Sequence, residues 1–151
     1  MKKINAHDAL IDLLNQTLAQ TIDLKLQAKQ AHWNVKDVNF ISFHELFDML
    51  AKELDEYADL LAERVVQLGG TALGTLQEVA KASDLKGYPV DIQAGKKHIE
   101  ALLSGTEQLV KKIHQITVDA NIVDDDVTAD IGTGINRSLS KMVWFLSAHL
   151  Y

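Results

Sequence analysis

A single proline, Pro89, and eight glycines are the only residues that readily break regular structure in a chain of 151 residues. Proline lacks a backbone N–H and clashes with the preceding turn, so its near absence permits long helices almost everywhere. The apolar residues use that freedom. Leu10, Leu13, Leu14, Leu18, Ile22 and Leu26 recur at three- and four-residue steps, which predicts a first helix from about Asp8 to Asn34 with that stripe as its core face. A short connection, Val35 to Phe40, leads into a second helix. Ser42 and Glu45 would open it as a capping box, and Gly69-Gly70 would stop it after Leu68. The looser stretch from Thr71 to Val90 can hold a short helix between Thr75 and Ser83 before Gly87-Tyr88-Pro89 breaks the pattern. Asp91 can cap a third long helix reaching about Asp119, and Asp124-Asp125-Asp126 supplies the acidic first turn of a fourth ending near Tyr151. The expectation is an all-α, four-helix bundle with one long crossover, a single domain spanning 1–151.

Composition narrows the functions open to such a bundle. Hydrophobic residues make up 47% and charged residues 24%, the balance of a chain with one folded core. Fifteen Lys and Arg against twenty-one Asp and Glu leave a net charge of -6, the wrong sign for a surface that binds nucleic acid throughout. Without cysteine there is no thiolate ligand or nucleophile, so a metal must be held by nitrogen and oxygen. Met1-Lys2-Lys3 leads into polar residues instead of an apolar signal core, and the longest apolar runs, such as Met142 to Leu146, are too short to cross a bilayer. A cytoplasmic protein is expected, with nucleoid association as the alternative and no membrane partner.

The second helix carries the chemistry. With His44 set at zero on a helical wheel, Asp48 falls at about 40°, Asp59 at about 60° and Glu63 at about 100°. Phe43, Leu46, Leu50, Leu54, Tyr57, Leu60 and Leu61 cluster between about 160° and 280°, the face that must be buried. The four potential ligands therefore share a stripe that points away from the chain's own core. Both His44/Asp48 and Asp59/Glu63 are spaced i,i+4, and the stripe is read as free of the i,i+4 lysine partners that mark an ordinary solvated face. The centres of the two pairs lie about 22 Å apart along the axis, so they cannot share a metal within one chain. Two copies packed antiparallel across a two-fold axis would instead bring His44 and Asp48 of one against Asp59 and Glu63 of the other. His32, near the end of the first helix, is a further candidate. Two histidines and three carboxylates suit iron better than structural zinc. His44-Glu45-Leu46-Phe47-Asp48 lacks the second histidine of a zincin helix, and no Glu is followed three residues later by His, which excludes the Glu-x-x-His type of di-iron bundle.

Lys29-Gln30-Ala31-His32-Trp33-Asn34, His44-Glu45-Leu46-Phe47-Asp48 and Asp59-Leu60-Leu61-Ala62-Glu63-Arg64 with Gly69-Gly70 resemble the motifs of the Dps family of miniferritins. Tyr88-Pro89, Asp125-Asp126-Val127-Thr128-Ala129-Asp130 and Trp144-Phe145 extend the resemblance over nearly the whole chain. It implies a ferritin-like fold and a hollow homododecamer that oxidises Fe(II), preferably with hydrogen peroxide, and stores the ferric product as mineral. The implied di-iron site lies at the two-fold subunit interface, with His32, His44 and Asp48 from one subunit and Asp59 and Glu63 from its partner. By the same resemblance Trp33 quenches stray oxidising equivalents and Lys29 assists the site. Asp125, Asp126 and Asp130 line a pore that admits Fe(II), although the same acids could simply cap the helix. His7, His98, His114 and His149 are read as ordinary surface or interface histidines, and Trp144, Phe145 and Leu146 as core. The chain departs from strongly DNA-binding members of the family, which carry a mobile lysine-rich tail. It offers only Lys2 and Lys3 at the start and no basic extension after Tyr151, so DNA binding is expected to be weak or absent. A non-catalytic shell, a pure binding and structural protein whose stripe is merely solvated, is the rival reading.

Overall fold

The computed structural model describes residues 6–151, with side chains from residue 7. The expectations for Met1, Lys2 and Lys3 lie outside the described residues. The elements are α1 (Ala6–Asn34), α2 (Phe40–Gln67), α3 (Leu76–Ala82), α4 (Gly95–Ile122) and α5 (Asp126–Ala148), with no strand among the described residues. α1 pairs with α2 and α4 with α5. Contacts of α1 with α4 and of α2 with α5 join the two hairpins, and α3 lies on α1 in the crossover. This is the all-α, ferritin-like bundle expected from the spacing, and none of its described helices is long and apolar enough to cross a membrane.

Burial follows the wheel on α2, α4 and α5, where Phe47, Leu50, Leu54, Leu61, Ile99, Leu102, Leu109, Ile113, Leu139, Met142 and Leu146 are sealed in the core. On α1 the expected stripe fails at its far end. Each four-residue step overshoots a full turn by about 40°, so by Leu26 the drift has carried the side chain round to solvent. Leu26 is 46% exposed, while Leu24, Ala28 and Ala31 hold the core face. Leu60 and Trp144, also expected inside, are 44% and 67% exposed.

The helix boundaries correct the sequence reading in three places. α2 begins at Phe40 after Asn39, ahead of the expected Ser42 cap. α4 begins at Gly95 and not near Asp91, because its capping carboxylate comes from a distant loop: Asp37, in the α1–α2 connection, accepts the Gly95 N–H at 3.1 Å and its own Asn39 N–H at 3.0 Å. Those bonds, the Asn39 one first and the Gly95 one second, hold the Asp37 carboxyl below its usual pKa. The close approach also requires glycine, since a Cβ at position 95 would stand 2.3 Å from the buried Phe43 ring. α5 ends at Ala148, leaving Tyr151 fully exposed outside the helix.

Candidate metal centre

His32 and His44 meet where α1 ends and α2 begins. Their rings stack with centroids 3.7 Å apart and planes 16° from parallel, and Phe40 stacks on His44 at 4.9 Å. The imidazoles also exchange hydrogen bonds: His32 Nδ1–H donates to the His44 carbonyl and His44 Nδ1–H to the His32 carbonyl, each at 2.7 Å. A carbonyl can only accept, so each Nδ1 carries a proton, and in the neutral ring it is Nε2 that presents the lone pair a metal takes. The His32 carbonyl belongs to the last turn of α1, whose acceptors lack intrahelical partners, so the clamp also closes that helix end.

Asp48 stands one turn beyond His44. It is not free of lysines, as the stripe had been read to be: Lys29 Nζ contacts it at 2.9 Å and Lys52, four residues on, at 2.8 Å. These two cations, Lys52 foremost, draw the Asp48 carboxyl down to about 2 despite some desolvation, so at neutral pH it is an anion. Lys29 also lies 5.7 Å from the centroid of the Trp33 ring, linking Asp48 to a tryptophan that is 66% exposed. Asp59 and Glu63 are exposed farther along α2, and among the described residues no three His, Asp or Glu side chains of one chain converge to metal distance.

The surface around the stripe is apolar. Phe40, Ile41, Met49, Leu60 and Val66 are 38%, 60%, 43%, 44% and 58% exposed, and on the wheel all fall at or beside the ligand angles. Leu60 owes its exposure to this place, at the border between stripe and core face. Exposed apolar side chains gathered around potential ligands mark a contact surface.

At the α4–α5 turn, Asp124 adopts a positive φ of 58°, which Asp tolerates better than most residues. Asp125 is buried. It caps α5 by accepting the Thr128 N–H at 3.0 Å, and it also accepts from Arg64 Nη2 at 2.8 Å and from the Thr128 hydroxyl at 2.5 Å. Burial would raise its pKa, yet the Thr128 and Arg64 bonds together outweigh it and the carboxyl sits below its usual value. Engaged in this way, Asp125 is a structural cap, whereas Asp126 and Asp130 are exposed on the same helix.

His98, read as an ordinary surface or interface histidine, is 1% exposed and hydrogen-bonded to Tyr88. Tyr88 stood out in the sequence only as part of Tyr88-Pro89, and nothing there pointed to its pairing with His98, because Tyr88 lies in an irregular loop and His98 on a mixed helix. The Lys52–Asp48 pair was visible as an i,i+4 spacing.

Comparison with known proteins agrees with the fold. The model of a ferritin-like domain matches residues 11–151. A DNA protection during starvation protein of Agrobacterium fabrum is 47% identical over 146 residues, covering 97% of this chain and 90% of that one. The crystal structure of a Dps protein from Bacillus brevis superposes with a TM-score of 0.92 at 30% identity, covering both chains fully. A Dps protein of Vibrio cholerae, described as a member of a broad superfamily of ferritin-like diiron-carboxylate proteins, reaches 0.92 at 25% identity over 97% of this chain and 91% of that one. In sequence, helix order and superposition, the chain belongs to the Dps family of ferritin-like proteins.

Proposed function

We propose that the chain is a ferroxidase and iron-storage protein whose substrate, Fe(II), is bound and oxidised between two-fold-related subunits of a dodecamer. The carrying observation is the cluster where α1 ends and the ligand stripe of α2 begins: the imidazoles of His32 and His44, each with Nδ1 engaged and Nε2 left toward a metal, beside an ionised Asp48 and fringed by exposed apolar side chains that a second copy would cover. His32, His44 and Asp48 of one subunit, with Asp59 and Glu63 of its partner, make a carboxylate-rich set that favours the ferric product. Lys29 and Lys52 neutralise Asp48 before a cation arrives, and Fe(II) displaces them. Two ferrous ions held together deliver two electrons to one hydrogen peroxide, which leaves as water and releases no hydroxyl radical. Trp33 stands beside His32 as a sink for stray oxidising equivalents.

The protection of DNA named for its relatives follows here from consuming iron and peroxide. Twelve chains of charge -6 would carry roughly seventy negative charges, which disfavours phosphate at ordinary salt. Such a shell would work in the cytoplasm and need not contact the nucleoid. A mobility shift of DNA with the iron-free shell at near-neutral pH and moderate salt would reverse that ranking.

Anaerobic Fe(II) titration followed by peroxide tests the reaction. About two Fe(II) oxidised per peroxide is the expected ratio for a paired-iron site. Oxidation no faster than in buffer would leave only a shell.

We assign Asp126 and Asp130, exposed in the first turns of α5, to the pore that would admit Fe(II), where symmetric copies of the carboxylates would focus the field on cations. Asp126→Asn with Asp130→Asn should slow iron uptake at low ionic strength while leaving the ligands unchanged. An unaltered uptake rate would reduce these acids to helix-dipole partners.

A further inference from the structure

His98 is the one buried imidazole that the iron site does not use. Its Nδ1 lies 2.6 Å from the Tyr88 hydroxyl, and the two rings run nearly parallel, 17° apart with centroids at 6.0 Å. With the phenol taken as donor, Nδ1 accepts and the ring proton lies on Nε2, a buried nitrogen with no acceptor at hydrogen-bond distance. Burial lowers the His98 pKa against the opposing pull of the Ile92 carbonyl, and burial raises the Tyr88 hydroxyl far above the phenol range. A neutral phenol thus faces a neutral base in an apolar wall.

The pair also has two connections. On the inner side His98 packs against Phe47 at 6.0 Å, and Phe47 against Phe43 at 6.0 Å. Phe47 and Phe43 are the chain neighbours of Asp48 and His44, so contiguous packed rings link the pair to the helix that carries the iron ligands. On the outer side Tyr88 lines a cavity of about 360 Å³ together with Gln27, Leu85, Pro89, Ala101 and Gln108.

We infer that Tyr88 and His98 form a redox-active pair, in which Tyr88 gives one electron to an oxidising equivalent left at the iron site and its phenolic proton to Nδ1 of His98. This inference rests on the iron-oxidation reading above. The need arises when a site holds a single Fe(II): hydrogen peroxide takes two electrons, and the lone ion supplies one. Tyr88 supplies the other. With two protons from solvent, the peroxide leaves as two waters, and the products are Fe(III), a neutral tyrosyl radical and protonated His98. Oxidised phenols are strong acids, so a base already at hydrogen-bond distance lets the proton leave with the electron and avoids a radical cation in apolar surroundings. A small one-electron reductant of the phenol or thiol class, taken up in the cavity, returns the electron, and the proton goes back from Nδ1 to oxygen. Tyr57 also donates to a base, Glu53 at 3.0 Å, but it is sealed in the bundle, where such a reductant cannot reach it.

Rapid-freeze electron paramagnetic resonance tests the pair in the assembled protein, with Fe(II) well below one per chain followed by peroxide. A tyrosyl signal that narrows with ring-deuterated tyrosine is expected. It should fall to background in Tyr88→Phe and His98→Gln and persist in Tyr57→Phe and Tyr151→Phe. A full signal in Tyr88→Phe, or one lost only in Tyr57→Phe, overturns the assignment. A second arm omits iron and oxidises the protein by flash photolysis with a ruthenium polypyridyl sensitiser and persulfate. There the radical should again depend on Tyr88 and form more slowly in His98→Gln. If peroxide oxidises iron no faster than in buffer, the iron reading fails and the flash arm alone decides the pair: a Tyr88-dependent radical sustains it, and its absence sinks it.

Discussion

Shells assembled from two inactive variants should regain activity. His44→Ala with Asp48→Ala removes one half of the α2 ligand set and Asp59→Ala with Glu63→Ala the other, and the halves lie about 22 Å apart on one continuous helix. In a two-fold dimer containing one chain of each kind, the damaged halves face each other at one site. The other site is then fully intact. Random pairing at equal mixing makes half the dimers mixed, so roughly a quarter of all sites should be restored. Each variant shell alone should stay inactive. Recovery indistinguishable from zero in demonstrably mixed shells would show that the four residues act within one subunit or do not hold the reacting iron.

Arg64→Met should be among the most destabilising single changes in the chain. The guanidinium, 13% exposed, pairs with Asp125, 6% exposed, and its Nε donates to the Thr128 hydroxyl at 2.7 Å. Removing one partner leaves a buried carboxylate with only the Thr128 N–H and hydroxyl to satisfy it and no compensating charge, a loss of about 3 kcal/mol. In a chain of this size that lowers the melting temperature by about 10 °C. Asp125→Ala should cost a similar amount, since it removes the cap as well, and the double variant should cost less than the sum by about 1–3 kcal/mol. Additive effects would deny the pair. The pH dependence has a definite sign. The folded pKa of Asp125 is depressed, so its contribution is complete above the unfolded value of about 3.9 and is lost as pH falls through the lower folded value. The deficit of Arg64→Met should therefore be constant at neutral pH and shrink below about pH 4.

The neighbouring residues Glu63 and Arg64 show how one helix serves two ends. Glu63 turns outward with the ligand stripe, and Arg64 turns inward to tie α2 to the start of α5, where Asp126 and Asp130 stand exposed. Loss of the ion pair should therefore disturb the α5 terminus more than the His32/His44 clamp at the opposite end of α2.

Period and punctuation determined the helices, because scarce proline and apolar residues at three- and four-residue steps are local properties of the chain. They also determined the ligand stripe, since residues spaced i,i+4 on a straight helix share a face whatever it packs against. Tertiary structure decided the state of those ligands. The proton on Nδ1 of His32 and His44 follows from carbonyls 12 residues away, the charge of Asp48 from Lys29 at 19 residues as well as from Lys52, and the engagement of Asp125 from Arg64 at 61. Helical periodicity carries no information at those separations. It could not say that Asp37 would cap α4 from another loop or that His98 would be buried against Tyr88, because each depends on which element lies alongside.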